Sequence, residues 1–228
     1  MKTKKILFLA TSHDKMGETP DSTGIWLEEL AAAYYIFKEA GAEMIMASPK
    51  GGSIPLDPRS QSILVITRNG KRFLKDPEAM DFLANSSVLE KVNGADFDLV
   101  FLTGGHGAMW DLADNKIAKQ LLEIFNNANK LIGSVGHGAV GLLSLQNDKG
   151  ELLIKGRQLT AFSDTEEESS GLSKVVPFLL EDRLALGGAL YSKGESYVSY
   201  VVADGNIVTG QNPASSEGVA RKLTSLLL

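Results

Sequence analysis

The residues of this chain best placed for chemistry are Gly136-His137-Gly138, which end an apolar run of strand length, Lys130 to Val135. Ala139-Val140-Gly141-Leu142-Leu143 follows at once, in residues suited to a helix. A strand, a one-residue corner and a helix without a linker make the shape of a nucleophile elbow. At the tip of such a corner one residue takes an unusual backbone conformation at the carboxyl edge of the sheet. The free N–H groups and positive dipole end of the next helix lie beside it. Here the tip falls on Gly136, and glycine accepts positive φ at no steric cost but brings no nucleophile. The chain contains no cysteine, which excludes disulfides, thiolate metal sites and thiol catalysis together.

Three other places carry reactive side chains. Thr103-Gly104-Gly105-His106-Gly107 follows a strand-like run, and glycines there let the backbone approach a ligand with its N–H groups aimed inward. Glu28 and Glu29 fall on one helix about 100° apart, so at most one points into the fold, with Glu28 expected as the solvated neighbour. Ser163 to Ser169 holds four acids within five residues, Asp164, Glu166, Glu167 and Glu168, a pattern that also suits a solvated helix start and leaves open which of the three glutamates faces His137. The three histidines, His13, His106 and His137, lack ligand-like spacing, so no metal site is expected. His13 reads as a loop residue near a pocket mouth.

The elements that position these residues alternate. Ile6–Ala10, Glu43–Ser48, Phe97–Thr103 and Lys130–Val135 read as buried parallel strands. Helical spacing runs from Gly24 to Ala40 with Ser22 or Thr23 as N-cap, then over Asp76–Ala84 and Asn115–Asn127. Ser62–Ile66 is a possible extra strand within a Pro-rich excursion. Leu152–Ile154 and Gln158–Phe162 read as short strands and Leu172–Leu184 as a helix. Tyr197–Ala203 and Ile207–Thr209 form a hairpin around Asp204-Gly205-Asn206, before a last helix, Glu217–Leu227. Together they predict a three-layer α/β/α sandwich with a mostly parallel sheet, built as a single domain over residues 1–228.

Composition narrows the partners. A net charge of −5 with scattered Lys and Arg argues against nucleic acid and anionic lipid. The basic start, Met1-Lys2-Thr3-Lys4-Lys5, precedes an apolar run too short for a signal h-region or a membrane span, so a cytoplasmic protein is expected.

Five motifs in order then carry a resemblance over almost the whole chain: Thr23-Gly24-Ile25-Trp26-Leu27-Glu28-Glu29, Ala47-Ser48-Pro49-Lys50-Gly51-Gly52, Thr103-Gly104-Gly105-His106-Gly107, the corner, and Thr209-Gly210-Gln211-Asn212-Pro213-Ala214-Ser215. The chain resembles the ThiJ/PfpI superfamily, of class I glutamine amidotransferase-like fold. Within it the chain looks like the branch of stress-inducible chaperones and glutathione-independent glyoxalases. The resemblance implies a cysteine nucleophile where this chain has Gly136, His137 as its base, Glu167 orienting the histidine, and Glu29 beside the thiol. Ala139 also replaces the branch's usual proline. Trp26, Gly104, Gly105 and His106 would line the substrate site, with N–H groups near Gly105 and His137 for an oxyanion. It further implies a homodimer acting on a small aldehyde such as methylglyoxal without a cofactor, with activity weakened or altered by Gly136. A holdase chaperone, a small-molecule-binding protein and an amidotransferase- or peptidase-like hydrolase are the alternatives.

Overall fold

The computed structural model describes residues 3–227, so Met1 and Lys2 of the basic start lie outside it. Strand β1 (Lys5–Leu9) leads through helix α1 (Leu27–Glu39) to β2 (Glu43–Ser48). Short helices α2 (Arg68–Phe73) and α3 (Pro77–Ala84) precede β3 (Ser87–Val88) and β4 (Leu99–Leu102). Next come α4 (Ala108–Asp111), α5 (Lys116–Asn127) and β5 (Leu131–Val135). The last third contributes β6 (Gln158–Leu159), α6 (Asp164–Ser169), α7 (Leu180–Leu186), β7 (Leu190–Tyr191), β8 (Val201–Asp204), β9 (Ile207–Gly210) and α8 (Ser216–Leu227).

Seven strands form one sheet in the order β3-β2-β1-β4-β5-β9-β8, parallel except for β8, which pairs antiparallel with β9. This is the mostly parallel three-layer sandwich expected from the sequence. The pleat explains why the central strands β1 and β4 are almost wholly apolar, because successive side chains leave on opposite faces and both faces are covered there. Ile6 and Phe8 of β1, with Leu99 and Phe101 of β4, pack on one side with Leu30, Tyr34 and Phe37 of α1 and Leu223 of α8. Leu7, Leu9, Val100 and Leu102 face the other side, against Leu121, Leu122 and Phe125 of α5. The chain leaves β1 for β2 on one side and returns to β4 on the other, so a crevice opens at the carboxyl ends of β1 and β4. The functional residues gather there.

Several boundaries differ from the expectation for physical reasons. Helix α1 begins at Leu27 instead of Gly24. Ile25 instead forms a parallel bridge with Leu56, and a Cβ on Gly24 would lie 2.1 Å from the Pro55 carbonyl oxygen. Thr23 caps nothing on α1; its hydroxyl donates to Asp57. Ser62–Ile66 is a bend and turn, not a strand, with Ile63 and Leu64 exposed. Leu152–Ile154 is a turn with a single bridge from Leu152 to Gln146. Only Gln158 and Leu159 of the next run are strand, and they pair with β7 in a separate two-stranded sheet. Of Leu172–Leu184 only the end is helical: residues 172–179 are turn and bend around Pro177, whose ring disfavours helix in the residue ahead of it, and helix begins at Leu180. The segment after the corner, Gly136–Leu142, is a 3-10 helix and not an α-helix. Its three glycines favour no regular helix, and a Cβ on Gly138 would meet the Leu102 carbonyl oxygen at 2.5 Å.

Candidate active site

Strand β5 ends at Val135, and Gly136 turns the chain at φ 53°, the left-handed conformation expected at the tip. A Cβ built on Gly136 would lie 2.6 Å from Oε1 of Glu29. The carboxyl of Glu29 therefore stands against the corner, where a side chain at 136 would begin. Glu29 comes from the first turn of α1 and is 2% exposed, and its Oε2 has no hydrogen-bond partner among the described residues. Burial pushes its carboxyl well above the usual carboxylate range, and the Gly104 N–H opposes this only partly. Glu28, expected to be solvated, is half-buried: it accepts from Thr67 and Asn69 and lines the same cavity. The excursion after β2 folds back over the start of α1 and supplies those two partners.

Glu167 sits at the centre of the polar cluster. Its capping neighbours place it: Ser163 and Glu166 form a reciprocal capping box at the start of α6, which leaves Glu167 pointing at the corner and Glu168 exposed. His137 Nε2 lies 2.6 Å from Glu167 Oε2, and His106 Nε2 lies 2.8 Å from Oε1. Burial raises the Glu167 carboxyl, but the two imidazoles outweigh it and hold the group far below the carboxylate range. An ionised Glu167 only accepts, so both Nε2 atoms donate to it. Glu166 is used otherwise, accepting from Asn212, the Tyr197 N–H and Ser163.

Arg59, which carries no local sequence signal, fixes the other side of His106. Its Nε and Nη2 grip Asp57 at 2.9 and 2.6 Å, and Nη2 donates to His106 Nδ1 at 3.1 Å. Asp57 is buried, and burial would raise its carboxyl, yet the Arg59 fork brings it below its ordinary value. Burial, together with His137 nearby, lowers the His106 pKa to about 4, so the ring is neutral. One ring nitrogen each from His106 and His137 and a Glu167 oxygen lie within 4.8 Å of one another, a convergence that linear spacing hid. Arg59 can only donate, so His106 carries its proton on Nε2, the wrong form for metal ligation through that atom. Arg59→Met would strand Asp57 without its main partner. The expected loss is roughly 2 kcal/mol in urea unfolding, below the ~3–5 kcal/mol for a fully buried pair, because Arg59 is 39% exposed.

A cavity of about 490 Å³ opens above the corner. Trp26, Phe162, Tyr197 and Val65 give it apolar walls, while Glu29, Gly105, His106 and His137 form its reactive floor. Of the residues expected to bind substrate, Trp26, Gly105 and His106 line this cavity. Gly104 lies behind it, so close to Glu29 that a Cβ would overlap Oε2. His13 does not line it; its ring stacks on Trp110 at 5.1 Å. No sequence motif marks Phe162, Tyr197 or Arg59, which also line the cavity. Phe162 ends an apolar run in the way site residues at strand ends do, which was the one available signal.

Glu29→Gln tests the protonated carboxyl. A folded-state pKa above the unfolded value means that the native chain binds more protons between the two, so Glu29 weakens folding as pH rises through that window. The variant should gain stability over the parent as pH is raised above about 4.5, with little difference below it. Thermal unfolding at pH 4 and pH 8 measures this, and an equal shift at both would refute a protonated Glu29.

A buried imidazole on an ionised carboxylate, set at a left-handed corner after a central parallel strand, defines an α/β protein of class I glutamine amidotransferase-like fold with its polar cluster at the strand-to-helix corner. The chain belongs to the DJ-1/PfpI family, whose profile matches residues 23–226. It is 27% identical over 233 residues to the putative glutathione-independent glyoxalase hsp3105 of Schizosaccharomyces pombe, covering 98% of this chain and 92% of that protein. Its fold is similar to that of Rapid Encystment Protein 24 kDa of Francisella tularensis, with TM-score 0.94, 35% identity and coverage of 99% and 100% of the two chains. Glyoxalase III of Candida albicans superposes with TM-score 0.90 at 25% identity, covering 97% and 96%. Among the described residues no helix is long and apolar enough to cross a membrane.

Proposed function

We propose that this chain binds small α-oxoaldehydes such as methylglyoxal in the cavity over Gly136, and that it turns them over weakly or by an altered route. The observation that carries the reading is the Glu29 carboxyl held at Gly136, within the same cavity floor as His137, which Glu167 holds from behind. Relatives named as glutathione-independent glyoxalases match most of the chain, which supports aldehyde chemistry over the chaperone and hydrolase alternatives. In the family reaction a thiolate attacks the aldehyde and a carboxylate then moves a proton between the two carbonyl carbons. Gly136 cannot supply the first step. Glu29 can supply the second, and the N–H groups at Gly105 and His137 can hold a developing oxyanion.

The test is to add methylglyoxal to the purified chain and follow lactate. Turnover orders of magnitude below that of a cysteine-bearing relative is expected. Full family-like turnover by the chain as it stands would overturn the reading of Gly136 as an emptied nucleophile position.

A further inference from the structure

Three features at the corner belong together. With no side chain on residue 136, the Glu29 carboxyl has the space against the corner in which a Cβ would sit 2.6 Å from Oε1. Its Oε2 is buried behind the cavity against Gly104, whereas Oε1 stands at the corner beside the cavity floor, so Oε1 is the oxygen a bound ligand can meet. The cavity above is also far larger than a three-carbon oxoaldehyde needs. Liquid water takes about 30 Å³ per molecule, so five heavy atoms need roughly 150 Å³ on that scale, against about 490 Å³. The spare volume is walled by Trp26, Phe162 and Val65, which suits a second, partly apolar group.

We propose that the site isomerises the hemithioacetal that an α-oxoaldehyde forms with a free low-molecular-weight thiol, with Glu29 carrying the proton from C1 to C2. This rests on the aldehyde-binding function proposed above. The free thiol adds to the aldehyde carbon before binding: sulfur bonds to C1, and the thiol proton ends on the C1 oxygen. In the cavity the Glu29 carboxylate removes the hydrogen on C1, and the electron pair of that bond passes to the C2 carbonyl to give an enediolate. The Glu29 carboxyl then returns the proton to C2, and the C1 hydroxyl proton moves to the C2 oxygen. C1 becomes the carbonyl of an α-hydroxythioester, so no atom is gained or lost and no oxidant is needed. The sulfur stays on the small molecule, so nothing tethers it to residue 136 and the carboxyl keeps its place. Because only the carboxylate can accept the proton, the rate rises with pH through the elevated pKa of Glu29.

The experiment mixes the native chain with methylglyoxal, with and without 2-mercaptoethanol or N-acetylcysteine, and follows thioester absorbance and product mass. Turnover that requires the thiol, follows the hemithioacetal concentration and falls at least about 10²-fold in Glu29→Gln is expected. A rate no higher than the uncatalysed one with either thiol, or a rate unaffected by omitting the thiol, would overturn the inference. Gly136→Cys with aldehyde alone separates the two levels of the argument. Turnover by that variant, with none by the native chain plus thiol, discards the inference and leaves the aldehyde function standing. Silence from both discards both.

Discussion

Gly136→Cys is expected to convert methylglyoxal to lactate at least about 10³-fold faster than the parent chain, with no thiol added. Two neighbours of the corner support this: Glu167 accepts from His137 Nε2, and the Glu29 carboxyl stands where a side chain at 136 would begin. The substitution has a cost. The corner holds residue 136 at φ 53°, where an L side chain loses about 1–2 kcal/mol, and the new Cβ must push Oε1 of Glu29 aside. That oxygen ends a flexible side chain bordering an open cavity, so it can yield without moving backbone. A modest fall in melting temperature should therefore accompany the gain in rate. Lactate production unchanged from the parent, in a variant shown to be folded, would mean that the pocket serves another ligand.

The second large effect is expected at Glu167. Replacing it with Leu removes the acceptor for two buried imidazole donors at once, and a loss of about 3–5 kcal/mol in urea unfolding is predicted. The pH profile gives an independent readout. His106 has a folded pKa of about 4, below its unfolded value, so the unfolded chain binds the extra proton and the parent loses stability as pH falls from about 6.5 toward 4. Glu167 has a depressed folded pKa, so its contribution is present above its unfolded pKa and is lost as pH falls below about 4.5. The Leu variant should lack that last acid limb. If it does not fold, Glu167→Gln keeps the shape, retains one acceptor oxygen and should lose roughly half as much. A loss under about 1 kcal/mol for the Leu variant, or an acid limb identical to the parent's, would count against the two-imidazole arrangement.

Much of the scaffold was readable because its signals are local. The β1 and β4 segments are nearly continuous apolar runs bounded by glycine or polar residues, and β5 is interrupted only by the small Gly133 and Ser134, the mark of strands covered on both faces. The positive φ of Gly136 followed from a glycine between a strand and small helical residues. Errors arose where tertiary contacts decide. Nothing local distinguishes Gly24 and Ile25 from a first helical turn; the Pro55–Leu56 segment packed on them makes them extended. Glu28 shares its helix with Glu29, and only the excursion carrying Thr67 and Asn69 covers it. Arg59 lies in a Pro-rich stretch that periodicity cannot orient, and its contact to His106 spans 47 positions of chain. The choice among Glu166, Glu167 and Glu168 was open in the sequence, although the capping box that resolves it, Ser163 three residues before Glu166, was written there.

The glycines around the corner have unequal freedom. A methyl group at Gly105 would strike the Gly24 carbonyl oxygen at 2.4 Å, and one at Gly138 would strike that of Leu102 at 2.5 Å, so enlarging either residue means rebuilding main chain. At Gly136 the nearest obstacle is only the tip of Glu29. Position 136 thus acts as a socket in an otherwise rigid frame. A side chain can be placed there by a single substitution that displaces only the tip of Glu29 and leaves the main chain around it where it is. A single replacement there is therefore expected to change what the cavity can react with while the chain still folds.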